Sequence, residues 1–277
     1  MPAYRLMGVL NVTPDSFSDG GRFIEPSDAL TRARELVAEG AEILDVGGES
    51  TRPGAEPVGS AEELARVLPV HEGLAGAAPG VLVSIDTTKA PVARAAIEAG
   101  AGLVYDVSDL RADPEMAELV AASGVECCLM LMLGEPRTMQ HEPRYEDVVD
   151  EVKAFLEERL RFAVAAGIAE QRILLDPGIG FGKTVAHNLE LLARLRELAA
   201  LGRPLVIGTS RKSFLGVLGA RAHGLEQPLE PARRVPGTIA TCVLALERGA
   251  SVFRVHDVAP VAEALAVAAA TLGGDGR

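Results

Sequence analysis

The segment Ser251–Val258 reads SVFRVHDV, and among apolar neighbours it carries an arginine and a histidine two positions apart. Side chains of a strand alternate between its faces, so Val252, Arg254 and His256 point one way while Phe253 and Val255 point the other. Two cationic or potentially cationic groups therefore converge on one spot of a buried strand. Taken alone, the pair is as readily a solvated strand end or a charge satisfied in the core as it is a functional pair.

Working back from this segment, short apolar runs rich in β-branched residues alternate with longer helical patterns. The runs are RLMGVLN, AEILDVGG, VLVSIDT, GLVYDVS, VECCLMLM, RILLDPG, PLVIGTS and SVFRVHD. Helix starts are expected at Ser60, with Glu63 three residues on as a capping box, and near Pro114 and Pro231. Gly40, Gly100, Gly124, Gly167 and Gly202 each stand where a helix must end before the next strand. Eight βα units predict an α/β protein, a (β/α)8 TIM barrel in a single domain over 1–277, with an open doubly wound sheet as the alternative. Closure has a consequence: RVHD of the last strand must lie beside LNVTPDSF of the first.

Polar residues gather at or just past the C-terminal end of nearly every run. They are Asn11, Asp45 and Glu49, Asp86, Tyr105 and Asp106, Asp176, Ser210 to Lys212, and Arg254 with His256. Any one could be a helix cap or a structural carboxylate. In a barrel all of them share the face where active sites are built.

The chain has 277 residues, 48% of them hydrophobic, enough for a large core, and a net charge of −12. That charge, with no Trp and only 4% aromatics, argues against a nucleic-acid or anionic-membrane surface. An anionic substrate then needs a local positive pocket, for which Arg254 and His256 are candidates. The opening segment is broken by Arg5, Asn11 and Asp15 too soon for a secretory apolar region, and no uncharged apolar run reaches membrane-spanning length. Cys127 and Cys128 are adjacent in an apolar run; with Cys242 they read as buried thiols, and a reducing cytoplasm is expected.

DPGIGFGKT, from Asp176 to Thr184, tempts a nucleotide reading. A Walker A loop fails because Pro177 stands where its first glycine belongs, and the dinucleotide pattern fails because Lys183 replaces its third. NVTPDSFSDGG and the glycine-rich loops combine donors, carboxylates and flexible backbone, as a lid over a polar substrate would.

In order, MGVLNVTPDSFSDGG, ILDVGGESTRPG, VSIDTTK, DPGIGFGK, GTSRKSFLG and FRVHDV resemble the dihydropteroate synthase family of folate biosynthesis, over essentially the whole chain. The resemblance implies a barrel that condenses dihydropterin-CH2-diphosphate with para-aminobenzoate, with magnesium as cofactor. It assigns Asp176 as the carboxylate that accepts the pterin's adjacent N–H and NH2, Asp86 as a second acceptor, and Lys212 as a donor to the ring. Arg254, His256 and Asn11 would cradle the diphosphate, with Asn11 also a magnesium ligand. Asp15 and Phe17 in one loop, and Ser50, Thr51, Arg52 and Pro53 in another, would close over it and help form the aminobenzoate pocket with Phe181, Lys212 and Ser213. Asp15 would stabilise the cationic intermediate or take up the amine proton. Met132 would touch the pterin. A homodimer is also implied.

Two departures stand out. The family pattern NDVS is YDVS here, placing Tyr105 where an amide usually reads the pterin, and the usual Met-His-Met is MLM, with Leu131 turned away from Met130 and Met132. Pterin-dependent methyltransferases of corrinoid proteins share the fold and the pterin carboxylates but have no need of SRKSFLG, STRPG or a diphosphate cradle. A silent pterin-binding barrel is made conceivable by Tyr105 and disfavoured by the intact Asn11, Asp176, Lys212, Arg254 and His256.

Overall fold

The structure is a computed structural model that describes residues 4–13, 25–51, 54–134 and 137–273. Among these residues eight strands run in parallel: β1 (Arg5–Asn11), β2 (Ile43–Gly47), β3 (Leu82–Asp86), β4 (Leu103–Asp106), β5 (Glu126–Met130), β6 (Ile173–Asp176), β7 (Val206–Ile207) and β8 (Val252–Val255). Ten α-helices alternate with them among the described residues: α1 (Pro26–Ala38), α2 (Ser60–Ala77), α3 (Ala90–Glu98), α4 (Met116–Ser123), α5 (Val148–Ala165), α6 (Val185–Ala193), α7 (Leu195–Ala199), α8 (Ser213–Ala222), α9 (Val235–Glu247) and α10 (Val258–Thr271).

The strand order is β6-β5-β4-β3-β2-β1-β8-β7, so the last strand does lie against the first, with Met7 opposite Arg254 and Gly8 opposite Val255. The remaining seam is nearly closed. Leu175 bridges to Leu205, and its N–H donates to the Pro204 carbonyl at 3.0 Å. β7 is short because Pro204 offers no N–H to a ladder, and Gly208 follows the strand at once.

The period-two reading of the strands sorts the core into two layers. Met7, Ile43, Leu103, Tyr105, Cys128, Leu174, Val206 and Val252 fill the barrel, while Leu6, Leu44, Val104, Leu129, Phe253 and Val255 face the helices. A methylene-rich side chain buried in either layer contributes roughly 1.5–3 kcal/mol. Leu131 lies in the outer layer and Met130 and Met132 belong to the inner one, as their alternation requires. All three cysteines are buried free thiols.

Gly40, Gly100, Gly124, Gly167 and Gly202 follow their helices with φ of 110°, 105°, 67°, 100° and 74°, the left-handed conformation that ends a helix. One helix start differs from expectation. Ser60 is the first residue of α2 and makes no side-chain cap; Gly59 holds the cap position. Glu63 is instead drawn fully inside, where its Oε2 meets Lys89 Nζ at 2.5 Å, an ion pair that outcompetes a capping bond at the surface. Among the described residues no helix is long and apolar enough to cross a membrane.

Candidate active site

The barrel register sets the C-terminal ends of β1, β2 and β3 side by side, with Asn11 opposite Gly47 and Gly47 opposite Asp86. Gly47 leaves space there: a Cβ at this position would lie 3.6 Å from Asp86 Oδ2 and 3.7 Å from Asn11 Oδ1. The side chains of Asn11 and Asp86 therefore flank one glycine at the mouth.

Arg254 reaches this group from β8. Its Nε donates to Asp45 Oδ2 at 2.6 Å and its Nη2 to Asp86 Oδ2 at 2.7 Å, while Ser84 Oγ donates to Asp45 Oδ1 at 2.6 Å. Burial pushes the Asp86 carboxyl up, to about 7; Arg254 pulls against this and the neighbouring charge of Asp45 reinforces it. Burial alone would lower Arg254, yet Asp45 and Asp86 hold it above its ordinary value. At Asp86 burial and the charge of Asp45 outweigh the pull of Arg254, whereas at Arg254 the two carboxylates outweigh burial.

Next to this group, β4 and β6 bring Tyr105 to Asp176. The Tyr105 hydroxyl donates to Asp176 Oδ2, and the Gly178 N–H donates to Oδ1 at 2.6 Å. Burial, then the charge of Asp176, raises the phenol well above its ordinary value and keeps it a donor. The ring lies against Arg254, whose Cζ is 5.0 Å from the ring centroid. Gly208, next after β7, keeps this space open, since a Cβ there would sit 3.8 Å from Asp176 Oδ2 and 4.0 Å from Arg254 Cβ.

Lys212 closes the same side. Its Nζ donates to the Ile179 carbonyl and lies 4.2 Å from the centroid of the Phe181 ring. Burial lowers it to about 7, as do Arg254 and Lys183, against the pull of Asp176. Ser213 is the exposed first residue of α8, directly after Lys212, and Met132 is partly buried against the inner core.

His256 stands just beyond β8, its Nδ1 2.9 Å from Ser210 Oγ and its backbone N–H donating to the same oxygen at 3.1 Å. Strand eight thus delivers Arg254 to the barrel interior and His256 to the rim beside the β7 loop. Thr51 is partly buried in the loop after β2. That loop is anchored by Glu49, whose Oε1 accepts from Val58 N–H at 2.8 Å and whose Oε2 accepts from Lys89 at 2.6 Å. Asp15, Phe17, Arg52 and Pro53 lie outside the described residues.

Three positions acquire a part that composition did not single out. Asp45 orients Arg254 and was visible only as one strand-end carboxylate among several. Lys183, in the rejected phosphate-loop pattern, is 3% exposed and donates to the Phe181 carbonyl at 3.0 Å, bracing the loop that carries Phe181. Asp106 turns out to be a structural carboxylate: it accepts from Ser108 N–H, Ser108 Oγ and Leu110 N–H at 2.7, 2.7 and 3.0 Å.

The chain is similar to known proteins over nearly its whole length. The family model described as "Pterin binding enzyme" matches residues 7–256. A dihydropteroate synthase of Mycobacterium leprae is 50% identical over 271 residues, covering 97% of this chain and 93% of that protein. Among solved structures, the Yersinia pestis dihydropteroate synthase in a sulfonamide drug complex aligns with a TM-score of 0.91 at 45% identity, covering 98% of this chain and 95% of that one. The Xanthomonas albilineans dihydropteroate synthase in complex with 7,8-dihydropteroate aligns with a TM-score of 0.85 at 44% identity, covering 97% and 94%. With the family model matched over residues 7–256 and a relative 50% identical over nearly the whole of both chains, the chain belongs to the family of pterin binding enzymes.

Proposed function

We propose that the chain is a dihydropteroate synthase, a transferase of folate biosynthesis. It joins (7,8-dihydropterin-6-yl)methyl diphosphate to para-aminobenzoate and releases 7,8-dihydropteroate and diphosphate. The observation that carries this reading is the likeness, over nearly the full length of both chains, to a relative solved with 7,8-dihydropteroate, the product that contains both halves of the reaction.

On this reading Asp176 accepts the paired N–H donors of the pterin edge, as a carboxylate with two oxygens can, and Asp86 is a second acceptor across the barrel. Lys212 donates to the ring from the Phe181 side. Met132 lines the pterin seat. Arg254, His256 and Asn11 hold the diphosphate: Arg254 directs donors at Asp45 and Asp86 and still has further N–H groups of its five for phosphate oxygens. Thr51, Arg52, Phe181, Lys212 and Ser213 form the aminobenzoate side, and Asp15 attends the cationic centre.

The C–O bond to diphosphate breaks, and the electron-rich pterin stabilises the methylene cation that remains. The arylamine nitrogen then forms the C–N bond and gives its proton to solvent or to the departing anion. The residues hold the leaving group and align the amine, so they act by electrostatics and positioning rather than by strong base catalysis.

A magnesium ion suits this arrangement. The Asn11 amide oxygen beside Asp86 is a hard oxygen donor of the kind such an ion takes singly, completing its shell with waters and substrate phosphates. Asn11 would hold it, and the charge it supplies would neutralise the leaving diphosphate. A homodimer in the cytoplasm completes the proposal.

Diphosphate release from the pterin substrate, measured with and without para-aminobenzoate, tests it. A synthase releases diphosphate in proportion to aminobenzoate consumed. Binding without turnover would mark a silent barrel, and absence of both binding and release would remove the pterin reading.

A further inference from the structure

Tyr105 is 2% exposed, yet its hydroxyl sits among the charged groups of the mouth rather than among apolar side chains. Were the residue a core filler, a phenylalanine would serve, and the hydroxyl would only add a group to desolvate. Instead that hydroxyl meets Asp176 Oδ2 while the ring lies against Arg254, so one side chain touches both walls of the site. The residue is held from both flanks. It pairs in register with Asp86 on β3 and with Cys128 on β5.

The consequence for Asp176 is geometric. A carboxylate offers about four acceptor positions, two on each oxygen. Gly178 N–H takes one on Oδ1 and Tyr105 takes one on Oδ2. One position on each oxygen is left, which is what two donors lying side by side on a ligand require. The phenol has a single proton and gives it to Asp176, so toward a ligand it presents only lone pairs. An amide in its place would present a donor as well.

We infer that Tyr105 is a positioning residue that fixes the plane of Asp176 for a paired-donor ligand edge and admits only donor groups beside its own oxygen. The inference rests on the pterin reading of the site and goes beyond it by assigning the work of the usual amide position to a different contact. A ligand edge carrying an acceptor opposite Tyr105 faces two sets of lone pairs and is rejected.

The test is Tyr105→Phe, which keeps the ring and removes the hydroxyl. The dissociation constant of the pterin diphosphate is expected to rise about tenfold, because an Asp176 no longer held in one plane must be ordered by the ligand. The KM for para-aminobenzoate stays within about twofold of wild type. Wild-type affinity for the pterin, or equal weakening of both substrates, overturns the inference. A second measurement leaves the wild-type fold intact: the chain has three tyrosines and no Trp, so 3-fluorotyrosine labelling gives a fluorine spectrum simple enough to assign Tyr105. That resonance should shift on adding the pterin substrate and stay put with para-aminobenzoate alone; a resonance indifferent to pterin overturns the inference even if Tyr105→Phe does not fold. Should wild type bind pterin but release no diphosphate, the synthase reading fails while the Tyr105 result still stands on binding.

Discussion

Arg254 donates from Nη2 to Asp86 at 2.7 Å, a bond between residues 168 positions apart that crosses the pairing of β8 with β1, β1 with β2 and β2 with β3. Its guanidinium also serves Asp45, which is fully buried. The pair is thus both a site element and part of the barrel's internal electrostatics. Removing the cation alone, as in Arg254→Met, leaves two buried carboxylates without compensation and should destabilise the fold by about 3–5 kcal/mol. Adding Asp45→Asn should recover part of the loss, because the fully buried carboxylate that Arg254 serves is gone. Urea unfolding at neutral pH of the two variants and wild type checks this; equal stability of Arg254→Met and wild type would show that the three groups do not share their charge.

Much of this was legible in the chain because period-two alternation and barrel closure are local rules with global consequences. Eight strands closing into a barrel assign SVFRVHDV and RLMGVLN neighbouring places, and the strand-end carboxylates Asp86 and Asp176 fall on one face. What could not be read depends on distances across the interior. Nothing in YDVS says that the Tyr105 hydroxyl lands on Asp176, since β4 and β6 meet only through the lumen. Glu63 reads as half of a capping box because sequence spacing cannot show Lys89 inside. The reverse occurred at Thr184, the end of the rejected phosphate-loop pattern: it caps α6, its Oγ1 accepting from His187 N–H at 3.2 Å while His187 Nδ1 accepts from Thr184 N–H at 3.3 Å.

The glycines of DPGIGFGKT separate folding from function. Gly178 and Gly180 have φ of 66° and 83°, where any side chain is strained. A Cβ on Gly178 would meet the Leu131 carbonyl oxygen at 1.8 Å, and backbone cannot yield that far. A Cβ on Gly180 would meet Lys212 Cδ at 2.6 Å, which a long side chain can avoid by moving. Gly178→Ala should therefore fail to accumulate as folded protein, whereas Gly180→Ala should fold with a lowered melting temperature and with impaired turnover because Lys212 is displaced. Expression yield and thermal melts separate the two; a folded Gly178→Ala with wild-type melting would contradict the packing.

Lys212 and His256 occupy different parts of the mouth, one over Phe181 and the other against Ser210. On the proposed reaction, Lys212→Ala should weaken use of pterin and of aminobenzoate together, because that reading gives its amine a part in both seats. His256→Ala should chiefly impair handling of diphosphate, seen as a weaker inhibition by added diphosphate with the aminobenzoate KM little changed. Losses of about 1.5–3 kcal/mol in transition-state binding, ten- to a hundredfold in kcat/KM, are the scale for a hydrogen bond to a charged group. Steady-state kinetics with each substrate varied in turn provide the measurement, and wild-type constants in both variants would contradict these assignments.

Lys183 offers a prediction in pH. Burial lowers its ammonium to about 7, with the charges of Asp176 and Asp109 opposing the shift. In the unfolded chain a lysine titrates near 10.4, so between about 7 and about 10 the unfolded state binds a proton that the folded state does not. Stability contributed by this position is therefore lowest below pH 7 and rises with pH across that window, by at most ~1.4 kcal/mol per pH unit for one proton. Asp86 titrates the other way: its folded value is raised, so its contribution falls as pH rises from about 4 to about 7, and the two effects occupy different windows. Lys183→Met keeps the length and apolar stem of the side chain and removes the proton. The difference in unfolding free energy between this variant and wild type should favour the variant most near pH 7 and shrink steadily toward pH 10. A difference constant over pH 7–10 would mean that Lys183 keeps its proton on folding, and that its contacts with the Phe181 carbonyl and the Tyr145 ring, 5.9 Å from Nζ to the ring centroid, sustain a buried cation.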